Sequence, residues 1–215
     1  MKIASSMLAQ LGLFVAALIY SLYMATHLPD VVPTHWGLNG KADQFGSKWE
    51  DLLLMPGVML FMVVLTAVLP RISPRRFEIG TFEATYGYVM LLCSLMMMAL
   101  HVVIVQSAAG AHVDMTRMMM FVVFAFLALM GNVMGKIKRN FFMGIRTPWT
   151  IADERVWHAT HRYAGRLWLL GGLAGAVAAL FGAPFGIETV YLLVLAFLPV
   201  VKSYFIYSKL DSGLL

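Results

Sequence analysis

Glu154, His158 and His161 stand at i, i+4 and i+7. That spacing gathers a carboxylate and two imidazoles on one side of a helix, where they could share a proton or a metal ion. The order differs from H-E-x-x-H, in which two histidines one turn apart flank a general base. A solvated helix face with charge pairs accounts for it equally well. A second polar set, His27, Asp30, His35, Asp43, Glu50 and Asp51, falls within one upstream stretch. These are metal-ligand types, but their spacing matches no ligand pattern, and hydrogen bonding within a compact loop uses the same groups. The metal-ligand candidates are therefore His27, His35, Asp43, Glu154, His158 and His161. A softer set, His112 with Met115, Met118 and Met119, would suit Cu(I), although methionine also fills gaps and faces lipid. The sequence has no Walker A motif, G-x-G-x-x-G, nucleophile elbow or C-x-x-C. No catalytic residue and no cofactor is assigned, and the chain is read as a binding protein without enzyme activity. The single cysteine, Cys93, excludes an intrachain disulfide.

These groups need elements to hold them. The 215 residues are 60% hydrophobic and 13% charged, with a mean hydropathy of +0.79. Soluble domains carry about 25% charged residues, so the expected class is an all-α membrane protein. Six apolar runs approach the roughly 20 residues that cross a bilayer: Ser5–Ala25, Leu52–Leu69, Ala84–Gln106, Thr116–Met134, Gly165–Ala183 and Ile187–Tyr207. The first is read as a signal anchor that stays in the protein, because its apolar core is too long for a cleaved signal peptide. Thirteen of the 16 basic residues fall on the side of both termini and of the loop between spans four and five. The positive-inside rule then places that side in the cytoplasm and the loop Thr26–Asp51 outside. Direct nucleic-acid binding is a poor explanation for the charge, because long apolar runs interrupt it. Four tryptophans, Trp49, Trp149, Trp157 and Trp168, fall near span ends and are expected to anchor there.

Within the outer loop, Val31, Val32, Thr34 and Trp36 favour extended backbone, and Gly37 to Gly40 favour a turn, so a short hairpin is expected. In the inner loop, Thr150 followed by Asp153 resembles a capping box and predicts an amphipathic helix from about Ile151. Trp149, Ala152, Val156, Ala159 and Tyr163 would share its apolar face. His101, in the third span, is expected to reach the interface as a neutral imidazole. The pairs Gly131/Gly135 and Gly171/Gly175 permit close helix packing and suggest a homodimer.

The stretch from Gly135 to Thr150, with Trp157, His161 and Arg162 after it, resembles the signature of the SdpI-type family of multi-span toxin-immunity proteins. The outer stretch from Leu28 through His35 and Trp36 to Gly40 and Asp43 resembles an uncharacterised domain often fused in front of it. Arg139 departs from the pattern, since the resemblance leads one to expect proline there. The resemblance implies a bacterial inner-membrane protein that protects its cell from a secreted, membrane-active peptide or protein toxin. It further implies that the engaged protein holds a cytoplasmic transcriptional repressor at the membrane. Toxin-facing candidates are then His35, Trp36, Gly40 and Asp43. The cytoplasmic signature is Lys136, Lys138, Asn140, Gly144, Arg146, Pro148, Trp149, Trp157, His161 and Arg162. The expected organisation is an N-terminal domain over 1–70, a linking third span over 71–115 and an SdpI-like domain over 116–215. A metal-dependent or metal-handling membrane protein and a small-solute transporter stay open as alternatives.

Overall fold

The computed structural model describes residues 2–37, 41–74, 78–111 and 114–211. Gly40, His112, Arg75 and Arg76 lie outside them. In chain order come α1 (Ile3–Ala25), β1 (Val31–Trp36), β2 (Ala42–Ser47), α2 (Lys48–Ile72), a 3-10 turn (Ile79–Phe82), α3 (Glu83–Ala108), α4 (Met115–Met134), α5 (Pro148–Ala152), α6 (Glu154–Leu180) and α7 (Phe185–Asp211). All the helices except α5 are long and apolar enough to cross a membrane. This is a multi-pass membrane protein with six spans. Successive spans run in opposite directions, so the β1–β2 hairpin and the loop containing α5 sit at opposite ends. We call these the hairpin end and the loop end.

The first three spans pack against one another, α4 packs most extensively on α6, α7 packs on α6, and α3 joins the two groups through α4. Glycine sets the α4–α6 distance. A Cβ on Gly131 would collide with the Leu169 backbone nitrogen, and one on Gly172 would come 2.5 Å from that of Ala128. Gly165 faces the Gly131 carbonyl at 2.9 Å by the same measure. Gly171 and Gly175 face Leu195 and Phe124. The small residues therefore do their packing inside this chain.

Three prolines lie within spans, and each leaves unbonded the carbonyl four residues earlier. A neighbouring helix supplies the missing donor in every case. Pro56 frees the Leu52 carbonyl, which accepts from Ser21 Oγ at 2.7 Å. Pro70 frees that of Thr66, which accepts from the Tyr86 hydroxyl at 3.1 Å. Pro199 frees that of Leu195, which accepts from Trp168 Nε1 at 2.8 Å. A bilayer has no water for such carbonyls, so these side chains are conditions for the helices to stay in the membrane.

A polar seam binds the first three spans near the loop end. Gln10 is fully buried; its Nε2 donates to Ser6 Oγ at 3.0 Å, and its Oε1 accepts from Thr66 Oγ1 at 3.0 Å. Ser6 Oγ in turn donates to the Gly87 carbonyl at 2.5 Å. His101 differs from expectation: it is fully buried, with the Tyr20 ring edge-on at 5.7 Å. Its Nε2 lies 2.9 Å from Ser21 Oγ. The Ser21 proton is committed to Leu52, so His101 is the donor in that contact.

Two sequence expectations need correction. The helix that carries the fifth span begins at Glu154, well before the apolar run from Gly165, because no glycine or proline separates its polar early turns from that run and those turns have a protein face to pack on. Trp157 and Trp168 are not interfacial anchors. Trp157 is fully buried and Trp168 bonds a carbonyl within the bundle. An indole N–H that finds a buried carbonyl gains more than one at the interface, where water competes.

Candidate functional site

The loop between α4 and α6 is organised around Asn140. This side chain is fully buried, and all four of its hydrogen-bonding positions are engaged. Oδ1 accepts from the backbone amides of Phe142 and Met143, both at 2.8 Å. Nδ2 donates to the carbonyls of Lys138 at 2.8 Å and Met143 at 3.2 Å. One amide thus replaces the backbone ladder that an irregular segment lacks.

Gly144 follows with φ +99°, and a Cβ there would collide with His161 Nε2. Both the torsion and the space require glycine. The Ile145 amide donates to His161 Nε2 at 3.1 Å. Nε2 must therefore carry a lone pair, and Nδ1 holds the ring proton and donates it to the Trp157 carbonyl at 2.8 Å. His161 is a neutral imidazole with both nitrogens in use. Its ring stacks on Trp157, with centroids 4.0 Å apart, and Trp157 Nε1 donates to the Ile137 carbonyl at 2.7 Å.

The capping arrangement also differs from expectation. Thr147, not Thr150, is the N-cap, and α5 begins at Pro148, whose missing N–H costs nothing at a first helical position. Thr150 completes the reciprocal box: its Oγ1 accepts from the Thr147 amide at 2.8 Å. Asp153 then adopts φ −121°, ends α5 and caps α6, accepting from the Arg155 amide at 2.7 Å. The Arg155 guanidinium beside Asp153 holds its carboxyl below the usual carboxylate range. Arg139, in the place where proline is expected, donates to the carbonyls of Ile151 and Ala152, both at 3.1 Å. It thereby closes the C-terminus of α5. Trp149 docks the whole turn on α7: Nε1 donates to Ser203 Oγ at 2.7 Å, and the ring meets Tyr204 edge-on at 5.5 Å.

Glu154, His158 and His161 do not converge. His158 Nε2 lies 3.4 Å from the Glu154 carboxylate on an accessible face. His161 belongs to the buried face formed by Val156, Trp157, Thr160 and Ala164. Sequence periodicity placed His161 with the polar group because its position on the helical wheel is intermediate. The surrounding loop decides the face.

Among the remaining signature residues, Lys136, Lys138, Arg146, Pro148 and Arg162 are exposed. Arg146 also donates across the loop to the Phe141 carbonyl.

At the hairpin end, β1 and β2 pair antiparallel with Val31 opposite Ser47 and Trp36 opposite Ala42. The ladder is irregular between Pro33 and Trp36, as expected near a residue without an amide proton. Val32 is fully buried against Met24, Leu28, Leu52, Val105 and Ala108, and this pins the hairpin to the bundle. Lys48 fastens it further, donating to the carbonyls of Ala25 at 3.0 Å and Leu28 at 3.3 Å while pairing with Asp30 at 3.0 Å. Residue counting alone gave no hint of this role for Lys48.

His35 Nδ1 and Asp43 Oδ1 meet at 2.6 Å, with side chains 57% and 52% exposed, so the pair is open to a partner. Trp36 is half-buried beside it, and Val31 and Phe45 are exposed. His27 lies apart from this pair, bonded to the Tyr23 carbonyl at 2.8 Å. Among the described residues, no three His, Cys, Asp or Glu side chains come together to hold a metal ion.

Both loops fall within segments that match family models. Residues 136–207 match the SdpI/YfhL protein family, and residues 12–60 match a domain of unknown function, DUF1648. The chain is 29% identical over 195 residues to the Immunity protein SdpI of Bacillus subtilis (strain 168), covering 90% of this chain and 91% of that protein. It is 36% identical over 67 residues to an uncharacterized protein of Archaeoglobus fulgidus, covering 30% of this chain and 36% of the other. No solved structure matches the chain.

Proposed function

We propose that this six-span chain, with its SdpI/YfhL segment and its DUF1648 segment, protects a bacterial cell from a secreted, membrane-active toxin by binding and without catalysis. The observation that carries this reading is the likeness to an immunity protein along nearly the whole of both chains. The geometry agrees with it. The exposed His35–Asp43 pair, Trp36 and the apolar Val31 and Phe45 combine polar and greasy contacts on a rigid support, as recognition of an amphipathic peptide requires.

In this reading the hairpin end faces outward and both termini lie in the cytoplasm, as the distribution of basic residues favours. The exposed Lys136, Lys138, Arg146 and Arg162 at the loop end then form the surface offered to a cytoplasmic repressor. The enclosed Asn140, Trp157 and His161 support that surface from within.

The test is survival of toxin-sensitive bacteria, challenged with membrane-active peptide toxins, with and without the protein. Expression should raise survival against a specific toxin, and the variant carrying His35→Ala and Asp43→Ala should lose that protection while still accumulating in the membrane. If neither deletion nor overexpression changes survival under any toxin or envelope stress, the reading is wrong.

A further inference from the structure

A groove of about 520 Å³ runs between α6 and α7, lined by Tyr163, Arg166, Leu167, Leu170, Gly171 and Tyr191. Its two ends differ in chemistry. Tyr163 and Arg166 stand toward the loop end of α6, where the apolar part of the span begins. From α7, Lys202 brings a second cation to the same mouth, with Nζ 5.8 Å from the centre of the Tyr163 ring. Neither Arg166 nor Lys202 has an ion-pair partner among the described residues. Beyond them the walls turn apolar: Leu170 is 68% exposed, and Gly171 leaves the helix surface low enough for the Tyr191 hydroxyl to reach the Gly171 carbonyl at 3.2 Å.

We infer that this groove is a binding site for an anionic phospholipid, with the phosphate held between Arg166 and Lys202 and an acyl chain lying along Leu167, Leu170 and Gly171. Two cations without ion-pair partners, on different helices, attract a headgroup of net negative charge more strongly than a zwitterionic one, whose own cation offsets its phosphate. The direction of the groove selects a lipid over an acidic protein segment. Its walls descend into the apolar part of the spans, where a peptide backbone would leave its polar groups without partners. A lipid places its charge at the mouth and its hydrocarbon below. The site lies apart from the His35–Asp43 pair, at the other end of the bundle, and does not depend on toxin binding.

The experiment is native mass spectrometry of the full chain, released from micelles containing equal amounts of phosphatidylglycerol and phosphatidylcholine. The protein should retain phosphatidylglycerol selectively. Arg166→Gln should weaken that binding about fivefold, and Arg166→Gln with Lys202→Gln about 30-fold, as expected for two cations near a lipid surface. Lys136→Gln with Lys138→Gln removes as much charge from the same end and should leave binding nearly unchanged. Glycerol phosphate, a headgroup without tails, should not compete.

Equal retention of both lipids overturns the inference. So does equal loss in the Lys136/Lys138 control, which would point to diffuse charge attraction. Competition by glycerol phosphate would reduce the site to an anion site, and a bound second copy or acidic protein in place of lipid would reassign it. Thermal unfolding of each variant establishes that a lost lipid reflects the groove and not a lost fold.

Discussion

The two ends of the bundle hold their polar side chains in opposite ways. At the loop end, Asn140, Thr150, Trp157 and His161 are enclosed, and each is hydrogen-bonded to the loop's own backbone. At the hairpin end, His35 and Asp43 bond to each other in the open, on strands held from beneath by Val32 and Lys48. Both stretches are dense in distinctive residues. The hairpin displays its imidazole and carboxylate, whereas the loop encloses its amide, indole and imidazole and displays its cations. A long, mixed motif in a loop can therefore describe how the loop folds, and a binding role has to be sought among its exposed residues.

The contrast sets an order of expected effects. The largest belongs to the Trp157–His161–Gly144 stack. Trp157→Ala should cost about 3–5 kcal/mol, and Gly144→Val, which meets both a left-handed torsion and the His161 ring, should prevent the loop from closing. Unfolding in graded detergent denaturant measures both. If either variant kept wild-type stability, the enclosed description of the loop would be wrong.

Asn140→Ala comes next. It leaves the amides of Phe142 and Met143 without their acceptor, a loss of about 2–4 kcal/mol if neither finds water. Asn140→Asp is the sharper probe, because it keeps the acceptors and removes both donors. It should be the milder change only if the amide-accepting half dominates.

Removing the α6 cap by Asp153→Ala should cost about 0.5–2 kcal/mol. Because the Asp153 carboxyl titrates below its ordinary value, its contribution is fully present at neutral pH. It is lost as pH falls through that lowered value. Wild type and variant should therefore converge in acid and differ by a constant amount above the usual carboxylate range, as paired unfolding curves would reveal.

The smallest effect on stability is expected at the hairpin. His35→Ala with Asp43→Ala should change it by no more than about 0.5 kcal/mol, as for other open surface pairs. The same variant should show the largest functional loss in the survival assay. A hairpin variant that unfolds the protein, or a Trp157 variant that stays folded and only loses protection, would reverse the comparison.

Much of the fold was legible in advance. Six apolar runs and a hairpin marked by β-branched residues and glycine follow from composition and spacing over short distances, whereas the helix expected from about Ile151 is in fact two, capped by Thr147 and Asp153. The candidate site was legible only as a set of names. The i, i+4, i+7 spacing places Glu154, His158 and His161 together, yet His161 faces inward because the chain at Gly144 and Ile145, well before it in sequence, passes over its ring. Ser6, Gln10, Thr66 and Ser203 are polar residues inside apolar spans, which is a signal of buried hydrogen bonding but not of its geometry. What they lacked was a partner, and their partners lie on other helices.

The sequence by itself therefore determined that the chain crosses a membrane six times and how its charge divides between the two sides, because hydropathy and charge are sums over neighbouring residues. Tertiary structure alone decided that Pro56, Pro70 and Pro199 would each be met by a donor from another helix, and that Asn140, Trp157 and His161 of the loop motif would turn inward while the hairpin pair stayed exposed. A hydrogen bond depends on position within a few tenths of an ångström. Such positions exist only once distant segments have packed.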